Sequence, residues 1–203
     1  MPNADLKAQI TEEKIEHDCI DITYPQVALN NKSVQREINN LIKRQINFLI
    51  PREGCSVYGQ IFGKYRAGVN KNGVLSLVIE FYTIRKQAAN GLNVQKSVTV
   101  NLETGEVYEL HDLFKRTSNY RIVLNKIIKE QIKEKNLHLI KEFQSITDDQ
   151  DYYLTDNALV IYFQELEYTI HAEGIPEFVI PYTQISNLIS LTAAKTPAST
   201  GGS

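Results

Sequence analysis

The stretch that most constrains this fold runs from Asp151 to Tyr182 (DYYLTDNALVIYFQELEYTIHAEGIPEFVIPY), where aromatic and β-branched residues are densest. Such residues suit a pleated, half-buried surface. Tyr152–Leu154 and Ala158–Phe163 read as a hairpin across Thr155-Asp156-Asn157, and Phe178–Ile180 reads as the last strand. An acidic, Gly-containing connection separates those last two strands. Ile185–Leu191 follows as a short terminal helix or extension.

Upstream, Ile10–Val27 predicts one long first strand, with Ile20, Ile22 and Tyr24 on one face and Asp21 and Thr23 on the other. Pro25 ends this strand or sets it at a sheet edge. Asn30 and Asn31 supply a helix start. From Ser33 to Ile50 the apolar residues Val34, Ile38, Leu41, Ile42 and Leu49 recur at helical spacing until Pro51 and Gly54 close the helix. Val57–Ala67 and Val74–Arg85 alternate as paired strands joined through Val69–Gly73, and Val94–Leu102 is a further strand. After a single helical turn at His111–Phe114, a second helix is predicted from Ser118, as N-cap, to Lys135. Ile122, Leu124, Ile127, Ile128 and Ile132 form its apolar stripe. Leu137–Phe143 extends that helix or makes a separate turn.

Strand–helix–strands thus occurs twice. The pattern predicts an α+β fold of two related halves, each mostly antiparallel sheet with one long helix packed on it. The halves fall at 10–92 and 93–192, with a flexible arm at 1–9 and a disordered tail at 193–203. Without strict βαβ alternation, a doubly wound nucleotide-binding sheet is not expected.

Composition excludes more than it assigns. A chain of 203 residues can bury one large core or two small ones. Its formal net charge of −2 argues against a general nucleic-acid binder. No apolar run is long enough to span a bilayer, and Met1–Asp5 has no secretory start, so any membrane link needs a segment absent from this chain. Cys19 and Cys55 match no zinc or redox spacing. In an exported protein a disulfide between them would staple the first strand to the segment after the first helix. In a cytosolic one they are two small buried hydrophobes.

Charge is unevenly distributed. Between Glu142 and Ala194 lie nine of the 24 carboxylates and none of the 22 Lys and Arg, whereas Lys115–Lys141 carries eight bases against Glu130 and Glu134. Either the acidic segment steers a cationic partner, or the basic helix lies beside it and the two neutralise each other. Asp148-Asp149-Gln150-Asp151 lacks the central Gly and distal Glu of a calcium loop, and the four histidines share no zinc-like pairing, so no metal and no cofactor are expected. His171, between Glu167 and Glu173, is either a local pH sensor or a plain loop histidine. There is no nucleophile elbow and no phosphate loop.

Tyr152–Thr155, Leu159–Phe163 and Ala172–Tyr182 resemble the C-terminal signature of a bacterial family of unknown function. That family is shared by the extracytoplasmic part of the RsiV anti-sigma factor and the non-catalytic N-terminal region of PdaC-type peptidoglycan deacetylases. Val98–Leu102, Thr104–Val107, Leu110 and Leu113-Phe114 resemble its internal strand–turn–helix block. Ile22–Val27 with the Val34–Ile50 helix is similar to its N-terminal partner domain. Where the family pattern has an aromatic–Pro–Tyr loop, this chain has Gln164–His171. The resemblance implies an exported, cell-envelope module that binds or senses, such as the lysozyme-sensing domain of the anti-sigma factor, and that has no catalysis of its own. Its expected partner is a cationic protein or a peptidoglycan-type glycan. The expected contacts are Glu165, Glu167, His171 and Glu173, with Tyr168 as a ring anchor. The alternatives are an envelope glycan hydrolase, which needs two facing carboxyls about 5 to 9.5 Å apart, and a purely structural domain.

Overall fold

The computed structural model describes residues 6–190, so the tail at 193–203 and the first residues of the expected N-terminal arm lie outside the described residues. The segment expected as one strand is a hairpin: β1 (Gln9–His17) reverses at Asp18 into β2 (Ile20–Ala28). Asp18 stands in the left-handed region at φ 49°, which Asp tolerates better than most residues. An Asp-Cys turn lacks the Asn-Gly cue that marks such reversals, and the unbroken polar–apolar pattern hid it.

Asn31 caps α1 (Lys32–Leu49), its side-chain oxygen accepting from the amides of Ser33 and Val34 at 3.1 and 3.4 Å. Val34, Ile38, Ile42 and Ile46, spaced four apart, are its buried residues. A short turn, α2 (Gly54–Val57), leads into β3 (Tyr58–Lys71) and β4 (Val74–Arg85). These pair through Asn72-Gly73 at φ 54° and 75°, the two positive-φ positions a tight hairpin requires. β5 (Leu92–Asn101) completes a sheet of order β1-β2-β3-β4-β5, antiparallel except for a short parallel β2–β3 pairing over Ile20–Ile22. The division expected at residue 92 therefore falls at the first residue of β5.

A 3-10 turn (Leu110–Leu113) precedes α3 (Tyr120–Glu134). Ser118 does not cap this helix: its hydroxyl donates to the Lys115 carbonyl at 2.7 Å, and Asn119 holds the cap position. The apolar stripe is also narrower than expected, with Leu124 and Ile128 buried and Ile122 70% exposed. Leu137–Phe143 is not helical, and Leu139 bridges to Thr169. β6 (Tyr152–Leu154), β7 (Ala158–Tyr162) and β8 (Glu177–Pro181) form a second, antiparallel sheet, and α4 (Tyr182–Ile185) follows at once.

Alternation along β4 and β7 gives the layering. On β4, Leu75, Leu77, Ile79 and Phe81 pack with the α1 stripe, while Val78 on the other face packs with Tyr153, Val160 and Tyr162. On β7, Leu159 and Ile161 turn away from that seam to meet Leu124 and Ile128 of α3. The order of layers is α1, five-stranded sheet, three-stranded sheet, α3. This is the expected α+β class with one long helix on each sheet. β4 and β7 are covered on both faces, which is why their residues read as nearly continuous apolar runs.

Two devices close the seam. At the β3 bulge between Ala67 and Val69, a Cβ on Gly68 would stand 2.0 Å from the Leu154 carbonyl oxygen, so only glycine admits this approach. The buried polar groups also answer one another: Ser76 and Thr99 hydroxyls meet at 2.9 Å, and the Leu154 amide donates to Ser76 Oγ at 3.0 Å. A disulfide joins Cys19, in the β1–β2 turn, to Cys55 in α2 across 5.6 Å between Cα atoms.

Candidate functional site

Once β7 ends, the chain crosses the end of the five-stranded sheet before returning as β8. Its first two polar residues bind the open edge of β5. Gln164 acts as a strand residue would: its side-chain oxygen accepts from the Gln95 amide at 3.1 Å and its side-chain nitrogen donates to the Gln95 carbonyl at 2.7 Å. Glu165 accepts from the backbone amide and side-chain amide of Asn93 at 2.6 and 3.0 Å. Its side chain is 1% exposed, and the His171 ring nitrogen closes on the other carboxylate oxygen. A buried carboxylate held by two donors and an imidazole fixes a loop; it is not placed to touch a partner.

The remaining expected contacts divide. Tyr168 lies half-buried among Phe143 and Phe163, with Lys141 Nζ 4.2 Å from its ring centre, and burial together with Glu167 raises its phenol. Glu173 accepts from the His138 ring at 2.7 Å, which holds its carboxyl below the usual range. Glu167 faces solvent while accepting from the Gln164 amide at 2.9 Å. His171 is exposed except where it meets Glu165. The structure therefore gathers all five residues in one connection, with Glu165 turned inward and Glu167 and His171 on the outside.

Two neighbours had no signal in the sequence. Leu166, 48% exposed, stands at φ 65°, and Ile170 is 38% exposed. Leu166 takes the third place of a turn closed by the Glu167 amide on the Gln164 carbonyl at 3.0 Å, where a left-handed backbone strains a leucine. Beside the connection, Phe62 and Lys64 of β3, Glu80 and Tyr82 of β4, Asn93 and Gln95 of β5 and Ile175 help line a cleft of about 320 Å³.

Below the cleft lies a charge clamp across the seam. Arg66 bonds Glu80 at 3.0 Å and Glu177 at 2.9 Å and stacks 4.3 Å from the Tyr153 ring centre, while Lys64 reaches Glu80 at 2.9 Å. Burial alone would raise the Glu80 carboxyl, but the hydrogen bonds from Lys64 and Arg66 outweigh it and hold Glu80 below its ordinary value. Glu80 and Glu177 are joined through one guanidinium, and the depressed Glu80 is the opposite of the raised acid that protonates a glycosidic oxygen. Elsewhere Asp151 pairs with Lys96, Asp156 with Lys71 and Asp148 with Arg121. Three carboxylates of the acidic third thus meet bases of the first sheet and one meets Arg121 of α3, none of these bases being a lysine of that helix.

Residues 111–183 match the family described as "Protein of unknown function (DUF3298)". The chain is 29% identical over 207 residues to the anti-sigma-V factor RsiV of Bacillus subtilis (strain 168), covering 89% of this chain and 68% of that protein. Its fold is similar to that of a DUF3298-family protein of Bacteroides fragilis (TM-score 0.67, 12% identity, 91% of this chain and 94% of that one). A second such structure, from Pseudomonas aeruginosa PAO1, has TM-score 0.61 at 12% identity over 96% and 99% of the two chains. The match to the DUF3298 family is confined to residues 111–183, while the likeness of fold to two solved members of that family extends over 91% and 96% of the chain.

Proposed function

We propose that this chain is a non-catalytic binding or sensing module on the outer side of a bacterial membrane, and that it recognises a cationic protein through the β7–β8 connection. The observation that carries the reading is the mounting of that connection. Gln164 and Glu165 lock it to β5, leaving Leu166, Glu167, Ile170 and His171 outward on a rigid base. Exposed apolar side chains beside a carboxylate suit a protein surface better than a sugar. The similarity to an anti-sigma factor along 89% of the chain supports a sensing role. No helix among the described residues is long and apolar enough to cross a bilayer.

A peptidoglycan-type glycan is the second reading, favoured by the Phe62 and Tyr82 rings beside the Asn93 and Gln95 amides in the cleft. Titrating the purified protein with hen lysozyme, a cationic probe, and in parallel with soluble peptidoglycan fragments separates the two. Lysozyme binding that weakens with salt and falls at least tenfold in a Leu166→Ala/Glu167→Gln/Ile170→Ala variant supports the first. Binding of fragments alone moves the site to the cleft.

A further inference from the structure

We propose that the outer edge of β1 is a docking edge that takes an extended, cationic segment of a partner protein as an added strand. This does not rest on the reading of the β7–β8 connection, with which it shares no residue.

Two other open strand flanks of the five-stranded sheet are closed by amide side chains. Gln164 caps β5 at Gln95, and Asn39 of α1 both accepts from and donates to Val27, at 2.8 and 2.9 Å, where β2 has left β3. β1 is different. It is the terminal strand of the sheet and runs nine residues in register with β2 without a bulge, and among the described residues nothing pairs with its outer edge. In an antiparallel ladder alternate residues point their N–H and C=O outward, so about four residues over roughly 30 Å are offered to a new strand. Folded proteins usually blunt such an edge.

The edge is held ready at both ends. Asn70 accepts from the Ala8 amide and donates to the Ala8 carbonyl, each at 2.8 Å, and the Cys19–Cys55 disulfide ties the far turn to α2. An edge already ordered loses little freedom on pairing. Charge selects the occupant. β1 carries Glu12, Glu13 and Glu16 against Lys14, Glu16 lies directly opposite Asp21 on β2, and Asp18 stands at the turn. Facing carboxylates destabilise a hairpin, and a strand bearing Lys or Arg relieves them.

The test uses a synthetic eleven-residue peptide of alternating Lys and Val, titrated into the intact oxidised protein, with two N-methylated versions. One is methylated on the odd amides and one on the even, so that each blocks a single edge of the peptide strand. Expected is saturable binding that one methylated peptide retains and the other loses by at least tenfold, with slowed amide exchange confined to alternate residues of Gln9–His17. Glu13→Lys/Glu16→Lys should weaken the unmethylated peptide tenfold with an unchanged melting temperature. Equal binding of both methylated peptides would mean electrostatic adsorption and overturn strand addition. A concentration-dependent dimer that protects the same amides would overturn the cationic occupant in favour of a second copy.

Discussion

In the first half, strands of up to fourteen residues run along extended backbone ladders, and α1 lays four apolar side chains, one per turn, on the sheet. In the second sheet no strand exceeds five residues, and α3 buries only Leu124 and Ile128 in the core beneath it. What the short sheet lacks in ladder it gains from contacts to the five-stranded sheet and the segment that follows β5: the Arg66 clamp, the Tyr162 hydroxyl on Ser97 at 2.9 Å, the Gly68 approach and the Tyr152 hydroxyl on the Tyr108 carbonyl at 2.6 Å. The first half is shaped by its own pattern, whereas the second is shaped by where the first half receives it. A surface loop mounted on such a seam is held from both sides, which suits a recognition surface.

The largest effects should come from the two cores. Ile42→Ala, removing a side chain 1% exposed, is expected to cost about 2–5 kcal/mol, whereas Ile122→Ala on α3 should stay within about 0.5 kcal/mol. Urea unfolding of both variants checks the contrast between the helices. Serine at both Cys19 and Cys55 releases a bridge with a 36-residue sequence separation and should lower stability by about 3–4 kcal/mol, read as a lower urea midpoint. Gly68→Ala presses a methyl on the Leu154 carbonyl and should cost about 3 kcal/mol, with loss of amide protection in β6 before β4.

Much of this architecture was legible beforehand, for reasons specific to each element. α1 announced itself through a clear stripe, an Asn cap and a Pro stop. The Asn-Gly turn and the dense Tyr-Phe strands were equally plain, since local chemistry dictates them. Missed were features set by distant partners. Gly68 falls just past the strand expected to end at Ala67, and its reason, the approach of the Leu154 carbonyl, comes from β6. Ile122 matches a helical stripe but points away from the second sheet. Glu165 reads as a surface acid until its partner is seen to be the Asn93 amide, 72 residues away in sequence. The strained backbone of Leu166 has no sequence signature at all.

Smaller effects sharpen the seam itself. Gln164→Leu removes both bonds to Gln95 and should cost about 1–2 kcal/mol, with faster amide exchange at Gln95. Acid stability carries a sign. The folded Glu80 carboxyl is depressed, so its stabilisation is complete above the ordinary carboxylate value of about 4.3 and is lost as pH falls through the folded value. Glu80→Gln should therefore flatten the acid limb of the stability–pH curve and leave its slope near pH 7 unchanged. Leu166→Gly relieves the left-handed backbone and should hold or raise stability, by up to about 1 kcal/mol, while weakening binding.

Contact with the partner is proposed to fall on the outward residues of the β7–β8 connection, not on the buried Glu165 or the cleft. Amide hydrogen exchange of the protein with and without saturating hen lysozyme tests it most directly. Expected is slowed exchange concentrated between Leu166 and His171, with the β5 amides already protected in the free protein and unchanged on binding. Protection confined to Phe62, Tyr82 and Asn93, or no change anywhere at saturating lysozyme, would contradict it.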